Sequence, residues 1–223
     1  MEFEFWDNCW QRESQPFHLA EAHTFLVKYV NQLFSRTEKV LVPLSGKSLD
    51  LVFLAEQGYY PVGVEFNPKA VNRFIEENRL EFTSQTSRVA NGNELVRYYN
   101  KSMEVWLADF FDFSQSHAGK FKQVYDRAAF IALPDDMRSS YAKHLKTLLE
   151  DEATILLVTM DYQADEMSGP PFHITLDEIE KQFPEGKVTE LCRCSLLDSH
   201  PRWKELELSR LDEVLYQIQF KRL

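Results

Sequence analysis

The stretch from Val40 to Glu65, VLVPLSGKSLDLVFLAEQGYYPVGVE, limits what this chain can fold into more than any other. Val40-Leu41-Val42 is a short apolar run suited to a buried parallel strand. Pro43-Leu44-Ser45-Gly46-Lys47 supplies a tight turn, and Ser48 is placed to cap a helix with apolar positions at Leu49, Val52, Phe53 and Ala55. Gly58 tolerates left-handed backbone angles and ends that helix. Val62-Gly63-Val64 then rebuilds a strand, and Glu65 closes it. An acid at that point, roughly 20 residues after a glycine turn, is where dinucleotide-type folds hold the hydroxyls of a ribose. The segment therefore points to a cofactor that carries adenosine, or else to an ordinary βαβ unit with a chance glutamate.

The turn chooses among such cofactors. GxGxxG is absent and only Gly46 sits in the turn. A pyrophosphate needs several closely approached amides, which one glycine does not provide. S-adenosylmethionine has no pyrophosphate and carries a sulfonium cation, so a single glycine suffices. A nicotinamide-dependent reductase is disfavoured on the same ground.

Charge and composition narrow the partners. A chain of 223 residues with 44% hydrophobic content fits one α/β domain spanning 1–223. Its 25 Lys and Arg against 35 Asp and Glu give a net charge of −10, which repels phosphate backbones and argues against nucleic acid. The 17 Phe, 9 Tyr and 4 Trp exceed what packing alone asks for and suit flat ligands. Cys9, Cys192 and Cys194 form an odd set without zinc spacing, which points to reduced thiols, a cytoplasmic location and no metal. No apolar run reaches membrane-spanning length, and the acidic start MEFEFWDNCW does not read as a signal peptide.

The order of elements sets the fold class. Leu19, Ala22, Leu26, Tyr29, Val30 and Leu33 recur at helical spacing ahead of the first strand and place an N-terminal helical cap over about 1–35. Further helices open at Asn67-Pro68, at Pro134 with Asp135 and Asp136, and at Thr175-x-x-Glu178. Glu104 to Ala108, Gln123 to Tyr125 and Ala153 to Met160 are further buried strands, and Val188 to Leu197 with Val214 to Phe220 read as a closing antiparallel pair. Alternating strands and helices imply a doubly wound α/β sheet, mostly parallel, with an antiparallel C-terminal hairpin and helices on both faces. Ligands in such sheets bind beyond the carboxyl ends of the strands, here Leu44 to Lys47, Glu65, Asp109 to Phe111, Asp126-Arg127 and Asp161-Tyr162.

A family resemblance joins these points. FWDNCW at Phe5 to Trp10, Phe17-His18, LVPLSGKSLDL at Leu41 to Leu51, GVE at Gly63 to Glu65, DFFDF at Asp109 to Phe113, YDRAAFIALP at Tyr125 to Pro134, DY at Asp161-Tyr162 and GPPF at Gly169 to Phe172 follow one another in order. Together they make the chain resemble the bacterial branch of the thiopurine S-methyltransferase family over nearly its whole length. The resemblance implies a Rossmann-like methyltransferase sheet and a monomer using S-adenosylmethionine, released as S-adenosylhomocysteine, to methylate the sulfur of a small aromatic or heterocyclic thiol. It further implies that Trp10, Leu44, Glu65, Asp109, Phe110 and Arg127 contact the cofactor; Phe17, His18 and Phe172 would then wall the acceptor, and His173, outside the usual family pattern, would line the same pocket. Arg127 would orient an anionic acceptor.

Residue chemistry also allows plainer roles. Trp6 and Trp10 stand four apart and would share a helix face as core residues. Arg127 would pair with Asp126 or Asp161. The chain also departs from the family pattern. Ser45 stands where PLCGKS is usual, Ser14-Gln15-Pro16 precede Phe17 where glycine is common, and His173-Ile174 follow the GPPF motif. The last two changes fall on the acceptor side. They leave a methyltransferase of selenium, tellurium or halide, or a cofactor-binding module without turnover, as rival readings.

Overall fold

The computed structural model describes residues 3–12, 15, 17–198 and 201–221. Its helices are α1 (Phe3–Gln11), α2 (Thr24–Leu33), α3 (Leu49–Glu56), α4 (Pro68–Glu77), α5 (Gln115–Ala118), α6 (Asp135–Thr147), α7 (Leu176–Gln182) and α8 (Pro201–Glu205). Its strands are β1 (Lys39–Pro43), β2 (Tyr60–Glu65), β3 (Thr83–Arg88), β4 (Glu94–Tyr99), β5 (Glu104–Leu107), β6 (Phe121–Arg127), β7 (Leu149–Tyr162), β8 (Gly186–Ser195) and β9 (Leu211–Phe220). Among the described residues these strands form one nine-stranded sheet in the order β3-β4-β5-β2-β1-β6-β7-β9-β8.

The five strands expected from apolar runs are the parallel middle, β5-β2-β1-β6-β7. Chain order reverses on either side of β1, the switch point at which open α/β sheets leave a crevice. The C-terminal pair is antiparallel as expected, with β9 lying between β7 and β8. A second antiparallel pair, β3–β4, extends the other edge and was not expected.

The sheet is covered on both faces because successive side chains point opposite ways. Leu41, Val124, Ile155 and Leu157 enter one cluster with Tyr141 and Leu145 of α6. Their neighbours Val40, Val42, Tyr125, Leu156 and Val158 enter the other, with Phe25, Leu26 and Val30 of α2, Leu51 and Leu54 of α3, and Val71 and Phe74 of α4. Both clusters are continuous apolar interiors of the kind that drives folding.

The caps follow the sequence closely. The Ser48 hydroxyl accepts the Asp50 N–H and the Asn67 side chain accepts the Lys69 N–H, with Pro68 at the first helical position. Helix α2 starts later than the apolar spacing implies. His23 caps it through Nδ1, which accepts the Phe25 N–H, and leaves Leu19 and Ala22 outside.

Candidate functional site

The turn after β1 is built by strain and by close approach. Leu44 and Gly46 both hold positive φ, 44° and 54°. A leucine in that region costs energy and persists only where its surroundings fix it. The Ser45 N–H donates to the Val64 carbonyl at 3.0 Å, so the turn rides on the end of β2. Gly63 makes room for this, since a Cβ there would stand 2.8 Å from Ser45 Oγ. Ser45 Oγ is buried and has no hydrogen-bond partner among the described residues.

Glu65 reaches into this turn. Its Oε2 accepts the Gly46 N–H at 2.8 Å and its Oε1 accepts the Asn67 N–H at 2.7 Å. It stands at the strand end where the sequence places a ligand, and its side chain is buried. Burial pushes its pKa up to about 7, against the pull of the Asn67 and Gly46 amides. The Phe66 N–H pulls the same way, and a carboxylate with three donors still has a lone pair to satisfy.

The cover over the turn comes from the N-terminal segment. The indole of Trp10, buried, lies against Gly46. Helix α1 is tied to the start of α4 by a hydrogen bond of 3.1 Å from Asn67 Nδ2 to Asp7 Oδ1. Phe17 packs edge-on to Trp6 and Trp10, with centroids 5.7 and 5.4 Å apart. Of the expected departure before Phe17, Ser14 and Pro16 lie outside the described residues. Gln15 is buried and its amide donates to the Arg12 carbonyl at 2.7 Å.

Arg127 closes the other side. It ends β6, beside β1, and Ala128 after it holds a positive φ of 65°. The expected partners Asp126 and Asp161 are not its partners. Its Nε donates to Asp50 Oδ2 at 2.9 Å and its Nη2 to Ser48 Oγ at 3.4 Å. Burial works against the guanidinium charge, and Asp50, through its charge and its hydrogen bond, outweighs it together with Tyr125 and Glu213, so the net shift is upward. His18 lies within the field of this group. Burial holds its imidazole below the ordinary value, Lys47 and Arg127 push the same way, and Glu77 and Asp50 oppose them. Lys47 itself is paired with Glu77 at 2.7 Å.

Two of the other strand-end acids, Asp126 and Asp161, serve the scaffold. Asp126 is buried and accepts the Tyr141 hydroxyl at 2.6 Å and the Phe130 N–H at 3.0 Å. Burial raises its pKa to about 6 despite these donors. Asp161 is paired with Arg193 and Arg210, both at 2.5 Å. Asp109 is exposed and its Oδ1 accepts the Phe111 N–H at 2.9 Å. Phe110 is buried, stacked on Tyr141 at 5.1 Å and edge-on to His144.

Phe172 and His173 are held by a separate set of contacts. The Phe172 N–H donates to the Ile131 carbonyl at 2.7 Å, and the Arg138 guanidinium lies over its ring. His173 Nδ1 accepts the Tyr162 N–H at 3.2 Å and stands 3.6 Å from Asp161. So the structure gathers Trp10, Phe17, Gly46 and Glu65 through direct contacts, with Leu44 in the same turn, and places Arg127 with His18, Lys47 and Asp50. No hydrogen bond, ion pair or ring contact among the described residues joins Phe172 or His173 to Arg127, Phe17 or His18. Asp50 was not among the expected site residues. Among the described residues no group of three or more His, Cys, Asp or Glu is placed to hold a metal, and no helix is long and apolar enough to cross a membrane.

Known proteins share this arrangement of elements. A methyltransferase of Anabaena variabilis, described as S-adenosylmethionine-dependent, superposes with a TM-score of 0.67 at 13% identity, over 98% of this chain and 93% of that one. A Burkholderia thailandensis 1,6-didemethyltoxoflavin-N1-methyltransferase, solved with S-adenosylhomocysteine bound, gives 0.54 at 12% identity over 88% of this chain and 75% of its own. At these identities the likeness is one of fold. Sequence carries more. The thiopurine S-methyltransferase family model matches residues 1–221. Proteins named thiopurine S-methyltransferase from Shewanella sp. (strain MR-7) and Pseudomonas fluorescens (strain Pf-5) are each 39% identical, the first over 99% of this chain and 100% of its own length, the second over 98% and 97%. The chain belongs to the thiopurine S-methyltransferase family and is an S-adenosylmethionine-dependent methyltransferase.

Proposed function

We propose that this protein methylates the sulfur of a small aromatic or heterocyclic thiol of the thiopurine type. The observation that carries the reading is the buried junction of Glu65, the Gly46 turn and the Trp10 indole. The residues suit the donor. Glu65 is a buried carboxyl group whose burial outweighs the N–H groups of Asn67, Gly46 and Phe66, and the paired hydroxyls of a ribose would supply two further donors. Ser45 Oγ adds a buried polar atom in want of a partner. The Trp10 ring offers the flat electron-rich face that a sulfonium prefers. When bound, S-adenosylmethionine supplies an electrophilic methyl group for in-line displacement by sulfur.

The chain's own residues then have two tasks. Trp10, Leu44, Glu65, Asp109, Phe110 and Arg127 hold the donor, and Phe17, His18, Phe172 and His173 wall the acceptor. Alignment of acceptor and donor is worth about 7–11 kcal/mol of barrier. Heterocyclic thiols ionise readily, so the site needs a cation to orient the anion more than a strong base. Arg127 serves as that cation. The protein acts as a cytosolic monomer, and its product is S-adenosylhomocysteine.

Incubation with methyl-labelled S-adenosylmethionine and a panel of thiopurines, thiophenols, selenite and tellurite tests this. Label is expected in thioethers. Label found only in selenium or tellurium species would replace thiol by those acceptors, and no transfer to any of them would overturn the reading.

A further inference from the structure

We propose that Asp50 is the residue that positions Arg127 for the acceptor. The inference rests on Arg127 facing the reacting ligands, as proposed above. Asp50 lies in the first turn of α3, where a carboxylate ordinarily needs no reason beyond the helix dipole. Its surroundings give it one. Only 2% of its side chain is accessible, and a buried carboxylate must be paired and hydrogen-bonded.

Three donors from three parts of the fold meet it. The His23 N–H reaches Oδ1 at 2.7 Å from the cap of α2. The Ser48 hydroxyl and Arg127 Nε both reach Oδ2 at 2.9 Å, from the cap of α3 and the end of β6. His23 is anchored in turn, with Nε2 3.0 Å from Glu213 on β9. The carboxylate therefore cannot swing. Ser48 and Asp50 together grip one side of the guanidinium, and a planar guanidinium gripped at Nε keeps its terminal nitrogens in one plane. Among the described residues Nη1 makes no hydrogen bond, and 13% of the Arg127 side chain stays accessible. Donors remain for a ligand, and their direction is set by Asp50.

Two further features fit a positioning device better than a plain ion pair. Ala128, directly after Arg127, keeps a strained left-handed backbone, as residues at sites under geometric demand do. Tyr125, two residues before Arg127 on the same face of β6, has a buried hydroxyl without a partner among the described residues, and of the charges that act on it those of Asp50 and Arg127 act most strongly. An arrangement built for stability alone would have satisfied that hydroxyl.

The test is a double-mutant cycle on the full chain with an aromatic thiol and S-adenosylmethionine. Asp50→Asn keeps the shape and an oxygen for the His23 N–H, and is expected to lower kcat/KM about 10-fold or more through loss of alignment. In an Arg127→Ala background the same change should add less than about 2-fold. Guanidinium ion at low millimolar concentration is expected to restore activity to Arg127→Ala, and to fail once Asp50→Asn is added. A purely structural Asp50 gives losses that multiply and a rescue that survives, which overturns the proposal. If Asp50→Asn does not fold, Asp50→Glu enters the same cycle with the same expectations. Full activity in Arg127→Ala alone removes the reading of Arg127 and this inference with it. An inactive Arg127→Ala beside a fully active Asp50→Asn removes this inference only.

Discussion

The indole of Trp10 lies 3.1 Å from the point where a Cβ on Gly46 would stand. The turn is thus read by an aromatic ring from a segment more than 30 residues earlier in the chain, and the glycine is there for the ring as well as for its φ of 54°. Gly46→Ala is expected to displace the indole and to strain the turn by roughly 1–2 kcal/mol. Tryptophan emission should shift, and calorimetric affinity for S-adenosylhomocysteine should fall. Unchanged affinity would take Trp10 out of the donor site.

Glu65→Gln replaces a carboxylate that accepts backbone N–H groups at both oxygens by a side chain with one oxygen. Because Glu65 is buried, the change should lower stability by roughly 1–3 kcal/mol and weaken S-adenosylhomocysteine by a comparable roughly 1.5–3 kcal/mol. Urea denaturation and calorimetry report the two separately. A variant of full stability and full affinity would deny Glu65 any role.

The raised pKa of Glu65 gives a pH dependence of known sign. Its folded value of about 7 lies above the ordinary 4.5, so folding takes up a proton between the two. The protonated form's contribution to stability is full below 4.5 and is lost as pH rises to about 7. Ligand hydroxyls favour the ionised form, so product affinity should instead tighten as pH rises through about 7. Glu65→Gln should flatten both curves in that range. A wild-type affinity independent of pH from 6 to 8 would contradict this.

Tyr141→Phe removes the 2.6 Å donor from Asp126 while leaving the ring that stacks on Phe110. Loss of a bond to a buried acid should cost about 1–3 kcal/mol. Since burial already raises Asp126 to about 6, losing the hydroxyl should raise it further, as seen by carboxyl NMR titration. A shift in the other direction would show that Tyr141 is not what holds the charge.

His173→Ser breaks the 3.2 Å contact that fastens His173 to the Tyr162 backbone. The segment through Phe172 should then sit differently, and the ranking of thiol acceptors should change while affinity for S-adenosylhomocysteine stays the same. If kcat/KM is unchanged for every acceptor, His173 does not border the acceptor.

What the sequence made legible follows from how local its causes are. The parallel strands were readable because Leu41, Val64 and Ile155 sit in apolar runs ended by turns or acids, and the caps at Ser48 and Asn67 act within two residues. Strand β3, Thr83–Arg88, was missed because every residue in it is exposed and none marks a face. The Asn91-Gly92-Asn93 turn before the apolar-containing β4 was the signal available. At the candidate site, Glu65 and Arg127 are singled out by sequence because they stand at strand ends and fall in the family's motifs. Asp50 was not, because its first-turn place already explained it and its partner stands 77 residues away. Asp126 and Asp161 occupy equally suggestive positions, and only their contacts with Tyr141 and with Arg193 and Arg210 show that they serve the scaffold.

The fully exposed strand β3 also bears on how the molecule behaves in company. An outer strand offers unpaired backbone groups to any passing chain, and an apolar one invites stacking into aggregates. Here that border is Thr-Ser-Gln-Thr-Ser-Arg, with Arg88 engaged by Glu94 of its neighbour strand. A border of hydroxyls, an amide and a tethered cation gives a second copy little apolar surface to gain, so crowding alone is a poor reason for this sheet to grow.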